Sequence, residues 1–282
     1  MTNLKGRIDF TLFFTVDYAN PNGDPLNGNR PRTTMDGYGE ITDVCIKRKI
    51  RNRWMEMGEK VFVQPESEAI DGCKNLHDRF DSCKKLKAEI DKKKKADVDL
   101  CKKLACENWV DVRSFGQVFP FKGVDISFGI RGPVSIRYAR SLSPIDVVSS
   151  QITKSTNTEP GEGREASTMG MKHQVRYAVY KVMGSIHPQL ADKTGFSQED
   201  AEKLKEALLT LFDGDSSVAR PDGSMEVRKM YWWQQESRTP SITSAKIQRG
   251  FQVKSLEQPN CFEDYEISWN VEDCVDPEIY EA

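Results

Sequence analysis

Residues 8–16 alternate without a break: Ile8, Phe10, Leu12, Phe14 and Val16 fall on one side, and Asp9, Thr11, Phe13 and Thr15 on the other, with Arg7 continuing the second series. A side-chain period of two belongs to a strand. The pattern predicts a first strand buried on its apolar side, with a mostly polar side turned away. The next stretch, NPNGDPLNGNRPR at residues 20–32, is dense in Pro, Gly and Asn. These residues fix or permit turn backbones, so it reads as a long ordered loop. Residues 42–57 then read as a helix, with Thr42 as cap and Ile46, Ile50, Trp54 and Met57 on one side at 100° per residue. Lys47 and Arg51 flank one edge of that stripe, Lys49 and Arg53 the other, and Arg48 lies further round. Two readings fit these cations: a row that grips phosphates, or the solvated flanks of any surface helix.

Between residues 64 and 109 the composition shifts to Lys, Asp, Glu and Cys, densest in KKLKAEIDKKKK at residues 84–95. Lysines interleaved with acids favour a solvated helical insertion over a nucleic-acid contact. The core resumes after Asp111. Val134, Ile136 and Tyr138 alternate with Ser135, Arg137 and Ala139, and Val175, Tyr177 and Val179 with Arg176, Ala178 and Tyr180. The polar stretch between them, residues 143–170, reads as a hairpin or mobile loop. Residues 199–212 form a second amphipathic helix on Ala201, Leu204, Leu208, Leu211 and Phe212, with Ser197 as cap and Asp200 placed close to a capping box. Strand-like segments follow at 227–234, 247–253 and 262–269. Long helices separated by strands, without a βαβα alternation, predict an α+β fold with a ferredoxin-like core that carries insertions.

The net charge of −2 hides an asymmetry. The last 26 residues hold nine acids and no Lys or Arg, which leaves +7 on residues 1–256. A basic body permits phosphate binding, and chance asymmetry is the other explanation. Seven cysteines, an odd number without CxxC spacing, read as reduced thiols. Their spacing with His77, His173 and His187 matches no metal site, and neither metal nor cofactor is expected. No apolar run approaches the roughly 18 to 20 residues that cross a bilayer, and the N-terminus lacks a secretory pattern, so a cytoplasmic protein without membrane contact is expected. Residues 161–166, GEGREA, fit a relaxed GxGxxA, but ITKSTNTEP before them is no apolar strand. Neither a Walker loop nor a GxSxG elbow is present, and no catalytic residue is expected.

The loop NPNGDPLNGNRPR, directly after an N-terminal strand and followed by the basic helix TDVCIKRKIRNRW, strongly resembles the backbone subunit of type I-C CRISPR Cascade, one of the RAMP superfamily of RNA-binding proteins. DVRSFGQVF at 111–119, GPVSIRYARSLSPI at 132–145, QITKSTN at 151–157 and MGMKHQVRYAVY at 169–180 are similar to the same family. The resemblance implies a hand-like shape. A ferredoxin-like (RRM-type) palm would comprise residues 1–53, 111–142 and 172–256, a helical fingers insertion 54–110, and a thumb hairpin 143–171, followed by an acidic C-terminal segment at 257–282. It further implies several copies stacked head to tail along a guide RNA (crRNA), each thumb displacing one base and leaving the rest to pair with target DNA. A large subunit and a five-prime-handle-binding subunit would be the other partners.

Carried onto this chain, the RNA-contacting positions of the helix are Lys47, Arg48 and Arg51. Lys47 and Arg51 lie one turn apart, a spacing suited to successive phosphates. Asn29, Arg30 and Arg32 of the loop come next, although its Asn and Gly residues could serve folding alone. In the thumb, Lys154, Arg164 and Lys172 are phosphate candidates. Met169 or Met171 would wedge between bases, the other reading being that they are core residues. Type III relatives cut RNA with an aspartate in the corresponding loop, so a RAMP-type endoribonuclease acting on target or guide-precursor RNA is the alternative, with Asp24, Asp36 and Asp43 in view. Asp24, between Gly23 and Pro25, is also an ordinary turn residue.

Overall fold

The computed structural model describes residues 3–119, 127–153 and 169–282. Its first half runs β1 (Ile8–Ala19), the short β2 (Gly23–Asp24) and β3 (Arg30–Pro31), β4 (Tyr38–Ile41), α1 (Asp43–Glu56), α2 (Leu76–Ser82), α3 (Lys84–Ile90), α4 (Val98–Asn108) and α5 (Val110–Phe115). There follow β5 (Gly116–Phe119), β6 (Phe128–Arg131), β7 (Val134–Ile136), β8 (Ala139–Pro144), β9 (Val147–Thr153) and β10 (Met169–Ile186). The chain continues with α6 (Pro188–Thr194), α7 (Gln198–Leu209), β11 (Met225–Gln234), α8 (Ser244–Arg249), β12 (Phe251–Ser255), β13 (Tyr265–Trp269) and β14 (Glu278–Glu281).

The fold is mixed α/β around one antiparallel sheet in the order β14-β11-β1-β10-β8-β4, with β7 and β9 also paired to β10. β1 is central: Ile8 pairs with Ile186 on one side and with Gln234 on the other. Its apolar series packs with Ile46, Ile50 and Trp54 of α1 and Ala201, Leu204 and Leu208 of α7. The expectation of a polar outer face is corrected here. Phe13 is buried with Val179, Tyr231, Trp233, Ile242, Ile247 and Tyr265, so the sheet is covered on both sides. Asp9 and Thr11 are buried as well, and Arg7 Nε donates to Asp9 Oδ2 at 2.9 Å. A buried carboxylate needs such a partner.

Caps place the helices where local chemistry puts them. Thr42 Oγ1 accepts from the Cys45 amide at 3.2 Å, and Ser197 and Asp200 close a full capping box. The strand expected at 247–253 is instead α8 followed by β12. Thr243 caps the helix, Ile247 is buried on it, and Gly250 ends it. The alternation at 134–139 also breaks: Tyr138 is exposed, and Ala139 opens β8, which runs into the polar stretch.

The insertion holds its own core of Phe62, Phe80, Leu86, Ile90, Cys101, Ala105, Cys106 and Trp109. Phe119 and Phe128, facing each other across the β5–β6 ladder, belong to that cluster too. All seven cysteines are free, and no helix among the described residues is long and apolar enough to cross a membrane.

Candidate nucleic-acid interface

The loop at 20–32 is rigid by its own hydrogen bonds. Asp24 accepts from the Leu26 amide at 3.2 Å and caps a turn at Pro25–Asn27. Gly28 and Asn29 then both take left-handed backbones (φ 57°) that reverse the chain, and the Asn29 amide donates to Asp24 O at 2.8 Å. Asn20, nearly buried, donates its Nδ2 to Asn29 O at 2.7 Å. Asn22 Oδ1 accepts from both the amide (3.0 Å) and the hydroxyl (3.1 Å) of Thr42, which ties the loop to the start of α1. The asparagines and glycines therefore do fold the loop. Their work leaves Arg30 and the Asn29 side chain exposed, with Arg32 half-buried 3.4 Å from Asp24.

The cations of α1 are engaged within the chain. Lys47 pairs with Asp43 at 2.9 Å, both about a quarter exposed. Arg48 Nη2 donates to Val63 O at 2.7 Å. Lys49 is buried against Asp215, and burial holds its ammonium below the ordinary lysine range despite that partner. Arg51 Nε donates to Asp111 Oδ2 at 2.8 Å and its guanidinium lies 5.0 Å from the Phe115 ring centre. Asp111 is fully buried and also accepts from the amides of Phe62 (2.7 Å) and Val63 (3.1 Å). Arg48 and Arg51 thus bind the insertion to α1, and the free basic row read from the sequence is not what this helix presents. The reason is location: α1 lies between the sheet and the insertion, so its flanks meet carboxylates and carbonyls before they meet solvent.

β9 and the first part of β10 pair as a hairpin, from Met169↔Thr153 to Val175↔Val147. Met169 and Met171 are more than half exposed, as is Ile152, so the methionines are not core residues. Buried His173, with Nδ1 2.8 Å from Ser149 Oγ, anchors the hairpin base. Lys172 is half-buried and has no ion-pair partner among the described residues. Lys154 and Arg164 lie outside the described residues.

Loop and hairpin meet at the end of β1. Gln174 Nε2 donates to Tyr18 O, and two residues on the Asn20 amide donates to Ala219 O at 2.9 Å. Tyr18, Leu26, Val44 and Val218 are all exposed around this end. Tyr18 follows polar Asp17 and continues the even-numbered series of β1, so periodicity alone would turn it inward with Val16 and gives no sign that it is exposed. The only signal was an aromatic directly before a turn-rich loop. Of the aspartates, Asp24 is used as a cap, Asp36 pairs with Arg140 at 2.8 Å and Asp43 with Lys47. Among the described residues no three His, Cys, Asp or Glu side chains form a metal-holding group.

The sequence profile of the family described as CRISPR-associated protein Cas7 matches residues 6–270. A CRISPR-associated protein Cas7 of Haloferax volcanii is 25% identical over an alignment of 221 residues that covers 72% of this chain and 63% of that protein. The chain therefore spans less than two thirds of that relative. Among solved structures, a chain of a CRISPR RNA-guided surveillance complex, pre-nicking, is 14% identical with a TM-score of 0.48, covering 91% of this chain and 80% of that one. A chain of another CRISPR RNA-guided surveillance complex is 14% identical with a TM-score of 0.42, covering 91% and 72%. A profile match over nearly the whole length decides the matter: the chain belongs to the CRISPR-associated Cas7 family.

Proposed function

We propose that this chain is a non-catalytic crRNA-binding subunit whose copies line up head to tail along the guide and form the backbone of a type I-C Cascade complex. In this reading residues 1–53, 111–142 and 172–256 are a ferredoxin-like palm, 54–110 the fingers and 143–171 the thumb. The large subunit, the five-prime-handle-binding subunit and, through the guide, a target DNA strand are its partners. One observation carries the proposal: a rigid loop that exposes Asn29 and Arg30 meets, across Tyr18 and Gln174, a hairpin that exposes Met169 and Met171.

A subunit that coats any guide must hold phosphate and sugar and leave base edges free. Asn29, Arg30, Arg32 and Lys172 supply that grip. Lys47 can join them, because its i,i+4 pair with Asp43, each side chain about a quarter exposed, contributes only about 0–1 kcal/mol and is readily exchanged for a phosphate. Lys154 and Arg164 belong to the same set by their place in the sequence. Met169 or Met171 is the wedge that unstacks a base.

The test is incubation of the purified chain with labelled RNAs of unrelated sequence, with and without magnesium. Intact RNA, bound with similar affinity whatever its sequence and more weakly as salt rises, is the expected result. Replacing Arg30 and Lys172 together with Ala should flatten the salt dependence by about 1.4 in log–log slope, from roughly 0.7 per phosphate contact on a single strand. Magnesium-dependent cutting would instead establish the endoribonuclease.

A further inference from the structure

We infer that Tyr18 is a base-stacking residue: its ring takes a nucleobase of the bound RNA, while Lys172 meets a neighbouring phosphate. The inference rests on the RNA-binding reading above and adds to it a residue that the sequence patterns do not single out.

β1 is the central strand, and ten of its twelve residues are buried; Asp17 and Tyr18 are the two that are exposed. Tyr18 also has φ 43°. Asn29, Lys93 and Asp273 are the other non-glycine residues with positive φ among those described. Asn and Asp tolerate this region, whereas a bulky aromatic in it marks strain that the surroundings must hold in place. They do so here. The Tyr18 carbonyl is held by Gln174 Nε2, and the next residues are clamped by Asn20, which bonds Ala219 O and Asn29 O. The left-handed turn breaks the alternation of β1 and leaves Tyr18 54% exposed.

That ring has no aromatic, cationic or hydrogen-bonding partner among the described residues. A strained backbone that presents an unused aromatic gains nothing within the free chain, so its use lies with a ligand. The charge around it says which. Lys172, without an ion-pair partner among the described residues, sits two residues from Gln174 on the same face of β10, about 7 Å along the strand, and Arg30 is exposed on the loop that follows Tyr18. A flat apolar face beside cations that have no ion-pair partner among the described residues fits a base on a phosphate chain better than it fits an apolar protein surface.

The test compares an oligouridine with the same oligonucleotide made abasic throughout, at fixed salt, by fluorescence anisotropy. Tyr18→Ala is expected to weaken the ordinary oligonucleotide about tenfold and to leave the abasic one unchanged, and Tyr18→Phe should bind both like the native chain. Tyr18→Gly removes the ring but accepts the positive φ; it should lose the same affinity while staying at least as stable, which separates stacking from misfolding. Equal losses on both oligonucleotides, or none on either, would overturn the assignment and leave the RNA-binding reading standing. Smaller assemblies with unchanged RNA affinity would place the ring against another protein copy and overturn it too. A native chain that binds neither oligonucleotide would remove the RNA-binding reading itself.

Discussion

Replacing Asp111 with Ala tests how the helical insertion is held. The carboxylate is 1% exposed and accepts three hydrogen bonds: Arg51 Nε at 2.8 Å and the amides of Phe62 and Val63 at 2.7 and 3.1 Å. Alanine leaves two backbone amides without acceptors and strands a guanidinium whose side chain is only 13% exposed. Breaking a buried pair by removing one partner costs about 3–5 kcal/mol, because the surviving charge stays desolvated. Against a domain stability of about 5–15 kcal/mol, that is a large share. Asp111→Asn keeps the shape and one acceptor oxygen, so roughly half the loss is expected. The double variant Arg51→Ala, Asp111→Ala should cost less than the sum of the singles, by about 1–3 kcal/mol, since each single already forfeits the same bond. Urea unfolding followed by tryptophan fluorescence reads this well, with Trp54 in the main core and Trp109 in that of the insertion. The Trp109 signal should move first. A variant within about 1 kcal/mol of the native chain would refute the argument that this carboxylate joins insertion to helix.

Acid should act on the insertion through Asp71. The Arg79 guanidinium bonded to it holds its carboxyl below the usual 3.8, so the stability it contributes is complete above that pH and is lost as pH falls through the lower folded value. The melting-temperature gap between the native chain and Asp71→Asn should therefore be widest at neutral pH and close as pH is lowered past 3.8; a gap constant over that range would contradict the assignment. Gly184→Ala probes a close approach beneath the sheet. A Cβ there would stand 2.2 Å from the Phe10 ring and 2.7 Å from Ser135 O, and the loss should be at least about 1–3 kcal/mol. A melting temperature equal to the native value would show that strand and ring are further apart than described.

What was legible in advance was local. The α1 stripe of Ile46, Ile50 and Trp54 and its Thr42 cap, and the capping box at Ser197, depend on residues within a turn or two of one another, and they stand where the pattern put them. The flanks of the polar stretch, 147–153 and 169–175, pair as the hairpin reading expects of its two ends, and residues 154–168 lie outside the described residues. Segment 247–253 misled because an alternation of apolar residues spans a helix end: Ile247 is buried from α8, whereas Phe251 and Val253 pack from β12.

By itself the sequence determined the strand, the ordered loop, the capped helix and the chemistry available at their junction, since turn backbones, caps and periodicity are set by near neighbours. Tertiary structure alone decided the rest. The second face of β1 is covered by residues more than two hundred positions away, and Arg51 finds Asp111 sixty residues on. It likewise decided which cations stay available: a charge is free for a ligand only if folding brings no carboxylate or carbonyl to it, and beyond i,i+4 pairs such as Lys47–Asp43 no local pattern records that encounter.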